Sequence, residues 1–193
     1  ARGGLPWLAG ALDHLRVKHP NLLAFDGGDV FQGSWPVNAS QGVGGVKAYN
    51  LIGVDAAAIG NHEFDYGPLK SGEGHPLRGA FERAAPMANY HWLAANIDVM
   101  NEDGSITPWL PDGIKATAML ERAGVKIGVI GLSSADTPET TLRKHVEDLR
   151  FRDPTETVRQ LAPKLREDGA QVVVVVAHLT GSCDTNDEDG HHD

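Results

Sequence analysis

The feature that most constrains this chain is a repeated ending: short apolar runs each stop at residues that can do chemistry. Leu22 to Phe25 closes on Asp26-Gly27-Gly28-Asp29, Ala56 to Ile59 closes on Gly60-Asn61-His62, and Gln171 to Ala177 closes on His178. Apolar runs this short, bounded by turn residues, fit buried strands. A helical segment, Val46 to Ile52, follows the Gly-rich stretch Gly42 to Gly45 and separates the first two runs. A second, Pro154 to Asp168, precedes the third, with Val158, Leu161, Ala162 and Leu165 on one face and Gly169 at its C-terminal end. This alternation predicts an α/β fold with a largely parallel sheet. In such sheets ligands gather outside the carboxyl ends of the strands. Asp29, Asn61, His62 and His178 should therefore meet at one edge of one sheet.

The remaining segments fill in that plan. A helix opens near Pro6, with Leu8, Ala11, Leu12 and Leu15 on one face, and Pro20-Asn21 breaks it. Residues 68–79 read as a polar surface loop, Ala80 to Ala88 as a helix, Trp92 to Ile97 as one strand and Asn101 to Gly113 as turns. Ala116 to Arg122 and Val125 to Leu132 flank Ala123-Gly124 as a β-hairpin. The 193 residues suffice for one domain with a sizeable core. No apolar run reaches the roughly 18 residues of a membrane span. The formal charge of −9 argues against wrapping a nucleic-acid polymer. It does not exclude a phosphate ester, provided metal ions supply positive charge locally. The single cysteine, Cys183, permits no intrachain disulfide and shows no thiol-nucleophile pattern.

Carboxylate oxygen, amide oxygen and imidazole nitrogen form a mixed donor set suited to Mn²⁺ or Zn²⁺, and a carboxylate can bridge two cations. Taken singly, each residue has a plainer reading: Asp29 as a turn residue, Asn61-His62 as a turn, His178 as a core histidine. Taken together, those readings require three coincidences. The longer motifs sharpen the point. Gly28-Asp29-Val30-Phe31-Gln32-Gly33 and Gly60-Asn61-His62-Glu63-Phe64-Asp65-Tyr66-Gly67 resemble the paired motifs of the calcineurin-like metallophosphoesterases. The Phe-Asp-Tyr-Gly extension resembles the branch of 5′-nucleotidases and UDP-sugar hydrolases. Leu93-Ala94-Ala95-Asn96-Ile97, Val125 to Leu132 and Thr137-Pro138-Glu139-Thr140 support the resemblance, which runs from about Gly3 to His178.

The resemblance implies a two-sheet sandwich flanked by helices (αββα), incomplete at both ends, with residues 1–193 forming part of the catalytic domain. An Asp-x-His motif would precede Ala1, a Gly-His-x-His motif would follow Asp193, and a C-terminal nucleotide-gripping domain would lie beyond. It also implies two divalent ions, Mn²⁺ or Zn²⁺, with Asp29 bridging them and Asn61 and His178 on the second. His62 would donate to a phosphoryl oxygen, and Asp65 would orient and charge His62. Asn96, a turn amide on the plainer reading, is left out of the site. The implied substrate is a nucleotide or related phosphate ester, hydrolysed directly by a metal-activated water. Related chemistries on the same motifs are 2′,3′-cyclic nucleotide phosphodiesterase and thiosulfohydrolase. A catalytically silent binding module would be expected to lose His62 or Asp65, and both are present. By resemblance alone the protein would be periplasmic, secreted or surface-anchored, and the 193 residues alone would bind metal weakly and hydrolyse little. The acidic tail from Asp184 to Gly190 reads as a solvated loop rather than a calcium loop, because Thr185 stands where the first Asp ligand belongs. His191 and His192 read as surface residues, and His14, His19, His75, His91 and His145 show no ligand spacing.

Overall fold

A computed structural model describes residues 4–70 and 76–181. The tail at 184–190, Cys183, His75, His191 and His192 lie outside the described residues. Strand β2 (Ala56–Ala58) is three fully buried alanines, and their alternation defines the layers. Ala56 and Ala58 face a second sheet, while Ala57 faces a helical layer.

Four strands make the first sheet, in the order β1 (Phe25–Asp26), β2, β3 (His91–Leu93) and β6 (Ile114–Lys115), all parallel. The second sheet runs β10 (Val172–His178), β8 (Val125–Ser133), β7 (Thr117–Arg122). Here β8 is parallel to β10 and antiparallel to β7, the predicted hairpin. Ala123 at φ 50° and Gly124 at φ 76° make its two-residue turn, whose left-handed pair matches the strand twist. Ile127, Val129 and Val176 of the second sheet meet Ala56, Ala58 and Leu93 of the first in the inner layer. Outside the second sheet, α6 (Pro154–Glu167) packs Leu165, Val158 and Leu161 over Ile130 and Leu132. Asp153 caps that helix by accepting from Glu156 N at 2.7 Å. Outside the first sheet lie α1 (Leu5–Lys18), α3 (Val43–Ile52) and α4 (Gly79–Ala84), over an aromatic core of Phe31, Phe64, Phe81 and Trp92. The result is the αββα sandwich that the motif resemblance implies.

Expectations for four segments need correction, the simplest being residues 101–113, read as turns, where Ile106–Pro108 is a strand. Trp92 to Ile97 is not one strand: β3 ends at Leu93, and Ile97 opens β4 (Ile97–Met100) in a separate antiparallel sheet between β5 (Ile106–Pro108) and β9 (Leu149–Phe151). The break falls at Asn96, fully buried, whose amide donates to the carbonyls of Ser133 and Arg152 and accepts from Ser133 N. Those bonds occupy the side chain in joining sheets. Helix α1 turns Leu5, Ala9 and Leu12 toward the core, leaving Leu8 44% and Leu15 40% exposed. The helix carries two apolar stripes, and docking selects the one that lets Arg16 reach the carbonyls of Ile52 and Gly53 at the end of α3. Finally, the helix expected over 80–88 is α4 followed by a 3-10 turn, Ala85–Met87, which Pro86 enters. Among the described residues, no helix is long and apolar enough to cross a membrane.

Candidate metal and phosphate site

The reactive side chains come from two facing sheets, not from one edge of one sheet. Asp29 follows β1 and Asn61-His62 follow β2 in the first sheet, whereas His178 ends β10 in the second. The sheets close on each other at this end.

Two glycines let the β1 and β2 loops touch. A Cβ on Gly28, which sits at φ 104°, would lie 2.6 Å from Gly60 N, and one on Gly60 would collide with Asp29 Oδ1. Asp29 itself is at φ 71°, a left-handed conformation costly for a side-chain-bearing residue. Beneath the two loops lies Glu63, 1% exposed, whose carboxylate accepts from Gly60 N at 2.6 Å, Asp29 N at 2.9 Å and Phe31 N at 3.1 Å. Burial raises its pKa to about 7, against the lowering effect of those three donors.

Above this base, three atoms converge. His178 Nε2 lies 3.0 Å from Asn61 Oδ1 and 3.4 Å from Asp29 Oδ2. Their proton inventory is fixed by their other partners. His178 Nδ1 contacts Gly27 O at 3.1 Å, and a carbonyl can only accept, so Nδ1 carries the hydrogen. Asn61 Nδ2 likewise donates to Thr140 O at 3.0 Å, which turns Oδ1 toward the imidazole. With His178 neutral, three lone-pair atoms face one another with no donor among them. Only a proton on Nε2 or a cation between them satisfies the set. The Nδ1–H to carbonyl bond is also the arrangement that orients a metal-binding imidazole. Counting imidazole, thiolate and carboxylate alone, no triple converges among the described residues; the third donor here is an amide oxygen. Among those residues, too, Asp26, Asp29, Glu63 and Asp65 are not ion-paired to lysine or arginine. A divalent cation suits the carboxylate of Asp29 and this hard-to-borderline donor set.

His62 stands beside the trio, its backbone N–H donating to Asp29 Oδ1 at 3.1 Å. Its Nδ1 lies 2.6 Å from Asp65 Oδ2, and its side chain is 37% exposed. Partial burial lowers its pKa, but the Asp65 hydrogen bond and the charges of Asp65, Asp29 and Glu63 outweigh this and raise it. Asp65 is held from three sides, by His62, by Gln32 Nε2 at 3.1 Å and by Thr141 Oγ1 at 3.1 Å. Thr140 and Thr141, at the end of α5 (Thr137–Thr140), thus touch both Asn61 and Asp65.

Sequence reasoning named Asp29, Asn61, His62, Asp65 and His178, and the fold brings all five together. It missed Glu63, Gln32, Thr140 and Thr141. Glu63, Gln32 and Thr140 lie inside the quoted motifs and segments, but the partners that tie them to the site, Asp29 and Phe31 for Glu63, Asp65 for Gln32 and Asn61 for Thr140, come from other loops. Of the histidines without ligand spacing, His145 is a buried structural group bonded through Nδ1 to Phe64 O at 2.8 Å.

No protein-family model matches the chain. Individual proteins do. The chain is 32% identical over 176 residues to a snake venom 5′-nucleotidase of Gloydius brevicauda, covering 91% of itself and 28% of that protein. It is 30% identical to the protein UshA of Yersinia enterocolitica, covering 89% of itself and 28% of UshA. It is also 30% identical to a 2′,3′-cyclic-nucleotide 2′-phosphodiesterase/3′-nucleotidase of Salmonella typhimurium, again covering 28% of it. Among solved structures, a 5′-nucleotidase precursor of Thermus thermophilus superposes at TM-score 0.76 with 28% identity, over 92% of this chain and 32% of that one. The fold alone is shared with the sulfate thiohydrolase SoxB of Thermus thermophilus (TM-score 0.74, 22% identity, 92% and 30% covered). The same holds for the calcineurin-like phosphoesterase YfkN of Bacillus subtilis (0.71, 20%, 94% and 55% covered). The chain therefore spans under a third of the relatives it matches in sequence, yet about nine-tenths of it matches them: its homologues include 5′-nucleotidases and UshA, and its fold is shared with a calcineurin-like phosphoesterase.

Proposed function

We propose that this chain is part of the catalytic domain of a phosphomonoesterase that releases phosphate from nucleotides, AMP-like 5′-nucleotides first among them. The observation that carries the proposal is the meeting of Asp29, Asn61 and His178 around one point with His62 alongside. Asp29, Asn61 and His178 would hold one divalent cation, Mn²⁺ or Zn²⁺. Of these three, Asp29 would also reach a second, whose other ligands would lie in segments outside residues 1–193. Bound there, the cations would lower the pKa of a water and offset the phosphate charge.

The protein's own groups do the rest. Asp65 holds the His62 imidazole by Nδ1 and favours its charged form, leaving Nε2–H to donate to a phosphoryl oxygen as negative charge grows. Gln32 and Thr141 fix Asp65, and Thr140 fixes Asn61, so the donors are set before substrate arrives. A snake venom 5′-nucleotidase as a relative favours a 5′-nucleotide substrate and an exported protein. The Salmonella relative keeps a cyclic nucleotide as the second substrate to try.

Phosphate release from AMP by the Mn²⁺-supplemented full-length protein tests the proposal, with 2′,3′-cyclic AMP run in parallel. The His62→Ala form should lose about 10²–10³-fold in turnover. A loss of only a few-fold would remove His62 from the reaction.

A further inference from the structure

Glu63 has no place in the chemistry just described, yet it is the most thoroughly enclosed charged group beside the site. We infer that Glu63 is a positioning residue: without touching the cation, it holds the Asp29 and Asn61 loops in the one arrangement that lets their side chains bind it. The inference rests on the metal-site reading above.

The geometry uses both carboxylate oxygens as acceptors. Three backbone N–H groups from two loops converge on its two oxygens: Asp29 N and Gly60 N on Oε2, Phe31 N on Oε1. Two of those donors bracket the β1 loop at residues 29 and 31, and the third opens the β2 loop one residue before Asn61. Asp29 is held at φ 71°, which its side chain disfavours and which persists only where surrounding contacts over-determine it. Its own N–H is one of the three. That backbone setting puts Oδ1 against His62 N at 3.1 Å and Oδ2 3.4 Å from His178 Nε2. The carboxylate thus sets the backbone, and the backbone sets the ligands. An amide at this position offers one acceptor oxygen, so its NH₂ must face at least one N–H donor.

A merely structural Glu63 would change stability and leave the metal affinity of the folded protein alone; a positioning Glu63 changes the affinity. Mn²⁺ binding read from the EPR signal of free Mn²⁺ separates the two, with circular dichroism showing that each variant is folded at the assay temperature. The Glu63→Gln form should bind Mn²⁺ about 10–100-fold more weakly than wild type, the range for losing a group that orients metal ligands. The bound-ion spectrum should broaden as the site loosens. Binding within twofold of wild type in a folded variant overturns the inference. Should Glu63→Gln not fold, Glu63→Asp carries the test, since it keeps the charge but sets it one methylene short. Weakening of about fivefold or more supports the inference, and anything less overturns it. Wild-type protein that binds no Mn²⁺ would instead bring down the metal-site reading itself, so the two failures are told apart.

Discussion

Asp65 offers a test in which charge and geometry separate. Its Oδ2 accepts from His62 Nδ1 and Gln32 Nε2, and its Oδ1 from the Thr141 hydroxyl. In the Asp65→Asn form, the amide can keep its oxygen at the Oδ2 position and turn its NH₂ toward Thr141, whose hydroxyl can rotate and accept. All three contacts survive, and only the charge is lost. A hydrogen bond to a charged group contributes about 1.5–3 kcal/mol against about 0.5–1.5 for a neutral one. The difference, about 1–1.5 kcal/mol, corresponds to a fall in kcat of about five- to fifteenfold. The Asp65→Ala form loses the orientation of His62 as well and should fall by about 10²–10³-fold, close to the loss of the donor itself. Because Asp65 works through His62, KM for AMP should stay within about threefold in both. Steady-state phosphate release from AMP with Mn²⁺ measures all three proteins. Equal losses in the two variants, or a loss confined to KM, would refute the assignment of Asp65 as the group that orients and charges His62.

Two further predictions concern the polar core behind the site. Tyr49 OH donates to Asp26 Oδ2 at 2.8 Å, whereas the buried Tyr90 OH has no hydrogen-bond partner among the described residues. Tyr49→Phe should therefore cost about 1.5–3 kcal/mol in urea unfolding, and Tyr90→Phe should be neutral or stabilising by about 1 kcal/mol; the reverse order would contradict these contacts. Both phenols are also pushed up, Tyr49 by burial and then by Asp26, Tyr90 by burial and then by Glu63. Folded protein then keeps protons that the unfolded chain, with tyrosine near pH 10, gives up. Their contribution is full below about pH 10 and falls above it, by as much as about 1.4 kcal/mol per pH unit for each tyrosine. Unfolding free energies at pH 9, 10 and 11 should show that slope, and Tyr90→Phe should reduce it; an unchanged slope would count against the burial argument.

What the sequence made legible was what neighbouring residues decide among themselves. The hairpin at Ala123-Gly124, the Gly169 end and apolar face of α6, and the polar ends of β1, β2 and β10 are each written within a few residues. Their types already limited the chemistry. What stayed hidden depends on groups delivered from elsewhere. Trp92 to Ile97 has the composition of one strand, and only the buried amide of Asn96, claimed by Ser133 and Arg152, divides it between two sheets. The apolar stripe of α1 was chosen by docking on α3, which its own spacing cannot express. Glu63 is the sharpest case. A glutamate inside a motif looks like a surface charge until three N–H groups, two of them more than thirty residues away, make its burial tolerable. The reaction's residues were therefore legible while their supports were not, for one reason: a donor or ligand is recognised by its type, but a support only by the partners that the fold brings to it.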